Sequence, residues 1–153
     1  MNLIVVGVDR SEGAKAALAF AHEEARLRGA TLRAVHAWQL GYNGYIGYTG
    51  LGFEGVTPAL GGDISQLREA AKAALDATVS EAIPSPDEVK IEQRVVEGAA
   101  GAVLVEESRQ ADLLVVGSRG LGGFAQLLLG SVSQQCAHHA ACPIVIVRSK
   151  PAE

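Results

Sequence analysis

Two kinds of apolar pattern alternate along the chain, and together they outline a sheet covered by helices. Leu3-Ile4-Val5-Val6-Gly7-Val8 and Leu113-Leu114-Val115-Val116 are unbroken runs without polar alternation, as expected for strands buried on both faces of a parallel sheet. Thr31-Leu32-Arg33-Ala34-Val35-His36-Ala37 and Ile144-Val145-Ile146-Val147 predict two further strands. The run from Val89 to Val96 begins by alternating, Val89-Lys90-Ile91-Glu92, and predicts a strand nearer the sheet edge with one face partly wet. Helices fill the intervals. Ala14, Ala17, Leu18, Ala21 and Ala25 recur at three- and four-residue steps between a capping Ser11 and a stop at Gly29. Ile64, Leu67, Ala71, Ala74, Leu75 and Val79 mark one face of a second helix that Pro84 and Pro86 end. A third is predicted over Ala102 to Glu107 and a last one over Ser131 to Ala140.

Strands alternating with helices predict parallel βαβ units with right-handed crossovers and a doubly wound sheet. Ligands of such sheets bind beyond the carboxyl ends of the strands, where the strand order reverses. Those ends carry Gly7-Val8-Asp9, His36-Ala37 and Val116-Gly117. Three separated segments therefore converge on one predicted crevice.

Between Gly41 and Gly62 the pattern breaks down: glycines at 41, 44, 47, 50, 52, 55, 61 and 62 interleave with Tyr42, Tyr45, Tyr48 and Phe53. Glycine at every third place without proline does not make a triple helix, so a long loop over about 41–62 is expected, either a lid over a ligand or a variable insertion.

Length and composition narrow the picture further. A chain of 153 residues suits one domain over 1–153, able to bury roughly 70% of its unfolded surface. With 48% hydrophobic residues, 20% charged residues and a net charge of -4, a globular protein is expected, with no nucleic acid partner. No segment reaches about eighteen uninterrupted apolar residues, and Met1 to Asp9 shows no basic leader or cleavage pattern. The expectation is a cytoplasmic protein with no membrane partner. Cys136 and Cys142 are too few for a disulfide scaffold. His138 and His139 lie between them, but the close ligand pairing of a zinc site is missing. Reduced thiols and no metal are expected.

The chemistry sits after the fourth strand. Gly117-Ser118-Arg119-Gly120, nine further residues, and then Gly130-Ser131 follow the run ending at Val116. A strand that runs into glycines and then a helix presents backbone N–H groups to an anion. Ser131 is placed to cap the last helix and meet that anion, and Arg119 can neutralise a phosphate. A Walker-type loop is excluded, because no lysine lies between Lys90 and Lys150. Gly120-Leu121-Gly122-Gly123-Phe124-Ala125 formally fits a dinucleotide fingerprint, but the acid expected about twenty residues on falls in Ile144 to Val147, where there is none.

What remains is Gly-x-x-Gly-x9-Gly-Ser. With Val5-Val6-Gly7-Val8-Asp9-Arg10-Ser11, Leu129-Gly130-Ser131-Val132-Ser133 and Cys142-Pro143-Ile144-Val145-Ile146-Val147-Arg148, it resembles the universal stress protein family, in its ATP-binding subgroup, over nearly the whole chain. The resemblance implies a three-layer, Rossmann-like α/β sandwich of the adenine nucleotide alpha hydrolase kind, with a five-stranded parallel sheet in order 3-2-1-4-5. It also implies an ATP or AMP site between the first and fourth strands, with Mg2+ accompanying ATP. By that resemblance Asp9 contacts the adenine or ribose and the Ala37 backbone meets the adenine edge. Gly117 and Gly120 line the ribose and phosphates, and Gly130, Ser131, Val132 and Ser133 hold the phosphate end. Gly7, Val116, Ser118, Arg119, Gly122 and Gly123 complete the lining.

Two classes of function follow. A nucleotide-dependent regulator or sensor in stress response is favoured over a slow ATPase or autophosphorylating phosphotransferase, because phosphoryl transfer needs metal ligands and a positioned nucleophile. Near the glycines there are only Ser118, Arg119, Ser131 and Ser133, so no catalytic residue is assigned. The other class is a stress-linked interaction module that binds no nucleotide. In either class the apolar edge at 143–148 predicts a homodimer formed through that strand.

Overall fold

The computed structural model describes residues 1–39, 64–86, 88–119 and 129–149. In chain order the elements are β1 (Leu3–Gly7), α1 (Glu12–Arg28), β2 (Thr31–Trp38), α2 (Ile64–Ala82), β3 (Ile91–Glu97), α3 (Ala100–Ser108), β4 (Leu113–Gly117), α4 (Ser131–His139) and β5 (Ile144–Val147). All strand pairs are parallel and the order is β3-β2-β1-β4-β5, as the resemblance implied. Val6 pairs with Ala34 on one side and Val115 on the other. The order reverses at β1, so the crevice between β1 and β4 opens at their carboxyl ends.

The pleat divides the core into two layers. Ile4, Val6, Leu32, Ala34, Leu113 and Val115 pack beneath α1 and α2. Val5, Val35, Ala37, Leu114 and Val116 pack with Val103, Leu104 and Cys136 of α3 and α4. Both faces of β1 and β4 are thus covered, which is why their runs lack polar alternation. The small Ala17, Ala21 and Ala25 are fully buried and let α1 lie close on the sheet. Gly29 ends α1 at φ 62, its N–H returning to the Ala25 carbonyl, the left-handed stop that glycine accommodates without strain.

Some boundaries differ from the sequence pattern. β3 begins at Ile91 rather than Val89, because the Val89 N–H turns back to the Pro86 carbonyl at 3.2 Å. α3 begins two residues before Ala102. β3 does lie at an edge, carrying Glu92 and Arg94, which pair with Arg33 and Glu107. The opposite edge, β5, presents four half-buried apolar residues. No helix among the described residues is long and apolar enough to cross a membrane. The glycine- and tyrosine-rich stretch 41–62 lies outside the described residues.

Candidate functional site

The chain leaving β1 is pinned at each step. Val8 N–H donates to the Val35 carbonyl at 2.9 Å, and the Val8 carbonyl accepts from His36 Nδ1 at 2.8 Å. Asp9 follows, with Oδ1 accepting from the Ser11 N–H at 2.8 Å and from the Ser11 hydroxyl. Ser11 Oγ in turn accepts from the Ala14 N–H at 3.1 Å and caps α1. A carboxylate relayed through a serine thus seals the positive end of α1. Both of these bonds fall on Oδ1.

His36 is 2% exposed, and its Nε2 has no partner among the described residues. Donation from Nδ1 makes Nε2 the acceptor of a neutral ring. Burial holds this imidazole below its ordinary pKa, against the opposing effects of the Val8 carbonyl and the Asp9 charge. Through its Nδ1 bond His36 ties the end of β2 to the chain leaving β1.

The far side of the crevice is finished differently. Gly130, not Ser131, is the N-cap of α4, and having no side chain it makes no side-chain cap bond to the first turn. The start of the helix is set from below: the Ser118 carbonyl accepts from the Gly130 N–H at 2.7 Å and from the buried Ser133 hydroxyl at 3.0 Å. Ser133 also reaches the Gly130 carbonyl at 2.9 Å. Ser118, itself buried, donates its N–H to Val147 of β5 at 2.9 Å. Ser131 is exposed beside this clamp and Val132 packs into the core layer under α3 and α4. The first-turn N–H groups of a helix have no intrahelical acceptor, so this end can receive an anion.

The structure brings Asp9, Gly117, Ser118, Gly130, Ser131, Val132 and Ser133 to the same end of the sheet, with Ala37 at the end of β2. Ala37 pairs with Val96 in the β2–β3 ladder. Val116 is buried in β4, and Gly7 packs against α3, where a Cβ would stand 2.6 Å from Leu104 Cδ1. Arg119 is exposed. Gly120, Gly122 and Gly123 lie outside the described residues. Among the described residues no three His, Cys, Asp or Glu side chains cluster as metal ligands. Cys136 lies on the buried face of α4, and burial pushes its thiol up to about 11. The sequence reading missed Gly13, which meets the start of the glycine loop from α1; a glycine inside a helical pattern was the available signal.

The model of the universal stress protein family matches residues 1–148. A universal stress protein of Thermus aquaticus is 36% identical over 145 residues, covering 95% of this chain and 97% of that protein. One from Mycolicibacterium smegmatis is 33% identical over 147 residues, covering 96% of this chain but 46% of the relative. The chain spans about half the length of that and several other curated relatives. Among solved structures, a universal stress protein in complex with cAMP is 29% identical, with a TM-score of 0.58 over 97% of this chain and 98% of that one. With this match, the sheet order and the glycine spacing in agreement, the chain belongs to the universal stress protein family.

Proposed function

We propose that this chain binds an adenine nucleotide, ATP or AMP, between β1 and β4, and works as a regulatory or sensor protein rather than an enzyme. The observation that carries this reading is the open N-terminus of α4. It lacks a side-chain cap and stands directly beyond the end of β4, at the point where strand order reverses. Phosphate fits there, because first-turn N–H groups and the positive helix end both favour an anion. Asp9, held by Ser11 through Oδ1, has Oδ2 outside that pairing, to accept from a ribose hydroxyl or a base amine. The solved relative bound to cAMP supports adenine as the base. The one proton of the Ser133 hydroxyl is shared between the Ser118 and Gly130 carbonyls, so this hydroxyl supports the start of α4 and is not poised to attack a ligand. Occupancy would then act by stabilising one conformation over another. Mass analysis of the small molecule that copurifies tests this reading: an adenine nucleotide is expected, with phosphate release at the level of a buffer blank. Release well above the blank would favour the ATPase alternative.

A second copy of the chain is the partner that suits β5. Its apolar edge contrasts with the charged β3 edge, and uncovered apolar edges invite strand pairing. Light scattering should give a dimer that Ile146→Lys converts to monomer; a monomeric wild type contradicts the pairing.

A further inference from the structure

Two glycines from distant parts of the chain meet beside the crevice. Gly13 lies in the first turn of α1 and Gly117 ends β4. A Cβ on Gly117 would stand 3.0 Å from both the carbonyl carbon and oxygen of Gly13, and 3.4 Å from its Cα. A Cβ on Gly13 would stand 2.8 Å from the Arg119 carbonyl oxygen. All of these neighbours are main-chain atoms, so no side-chain rotation relieves either contact. Gly13 is helical, and a helix interior disfavours glycine relative to alanine. Close approach of two backbones, rather than an unusual dihedral angle, accounts for its presence.

The contact locks three elements into one corner. Gly13 bears on Gly117 and on the Arg119 carbonyl, and the intervening Ser118 carbonyl binds Gly130 N–H and the Ser133 hydroxyl. We propose that Gly13 is a positioning residue for the nucleotide site: its missing side chain sets how closely the Gly117–Arg119 backbone lies to α1, and so the width of the crevice between Asp9 and the start of α4. This inference rests on the adenine-nucleotide reading.

Gly13→Ala tests it. The added methyl presses on main chain at 2.8 Å, so the Gly117–Arg119 backbone must shift: the unliganded variant is expected to fold with a lowered melting temperature, while its affinity for ATP and AMP, measured by calorimetry, falls about tenfold or more. Amide shifts of Gly117 to Arg119 in the unliganded variant report the displacement. Unchanged affinity in the folded variant overturns the proposal, as does lost stability without lost affinity. Should Gly13→Ala fail to fold, Gly117→Ala presses on the same contact from the other side with the milder 3.0 Å approach, and unchanged affinity there overturns it equally. A wild type that binds no adenine nucleotide overturns the functional reading and this inference with it, whereas a binding wild type beside an equally tight variant overturns this inference alone.

Discussion

α1 and α4 both begin at the carboxyl edge of the sheet, one after β1 and the other after β4, yet their N-termini are finished in opposite ways. α1 is closed by its own chain: Ser11 caps Ala14 and Asp9 holds Ser11. α4 begins at a glycine with no side-chain cap, its position fixed by bonds to the Ser118 carbonyl beneath it. Where a helix end is satisfied internally, its dipole is already answered. Where it is held open by a rigid support, it is available to a ligand. In the nucleotide-binding reading proposed above the pair divides the labour, with β1 and α1 supplying an oriented carboxylate and β4 and α4 supplying the anion seat.

The largest expected effect comes from disturbing the support of the open end. Wild-type protein at a hundred times the dissociation constant of ATP should gain roughly 2.7 kcal/mol of stability. Gly117→Val, pressed against the Gly13 backbone, should lose that gain in thermal unfolding while keeping its circular dichroism; a retained gain separates Gly117 from the site. Closing the open end is the next test. Gly130 has φ -75 and ψ 170, which any residue adopts, so Gly130→Asp gives α4 the cap that α1 already has. Unliganded stability should hold or rise by a few tenths of a kcal/mol, while AMP binding weakens by about tenfold or more.

His36 tests the pinned side through pH. Its imidazole is held below the ordinary value by burial, so on acidification the unfolded chain takes up the proton first, near pH ~6.5. Stability should therefore be flat above that pH and fall below it, by at most about 1.4 kcal/mol per pH unit, levelling once the folded form is protonated. Urea unfolding at pH 7.5 and 5.5 should show the loss in wild type, and His36→Gln should remove that component. Smallest is a paired cap deletion: Ser11→Ala should cost about 1 kcal/mol, whereas Ser131→Ala, on an exposed side chain that caps nothing, should cost none measurable.

Much of this contrast was legible in the sequence. The unbroken runs of β1 and β4, the early alternation of β3 and the Ser11 cap are local patterns, and each became the predicted element. α4 starts at Ser131 as predicted, but its cap is Gly130 rather than Ser131: serine is the better cap by preference, while the Gly130 to Ser118 hydrogen bond sets the boundary from outside the helix. The His36 bond to Val8 has no local signature, and the glycine in a helical pattern at position 13 does not reveal its contact with Arg119. Both join residues far apart in the chain, so only the folded sheet reveals them.

The assignment of the anion to α4 rather than α1 is tested most directly by following backbone amide resonances while AMP is added to nucleotide-free protein. Saturable shifts are expected at Ser131, Val132 and Ser133, together with Asp9 and Ala37, while the capped first turn at Glu12 to Ala14 moves little. Shifts centred on Glu12 to Ala14 with α4 unmoved, or no saturable shift at all, would contradict it.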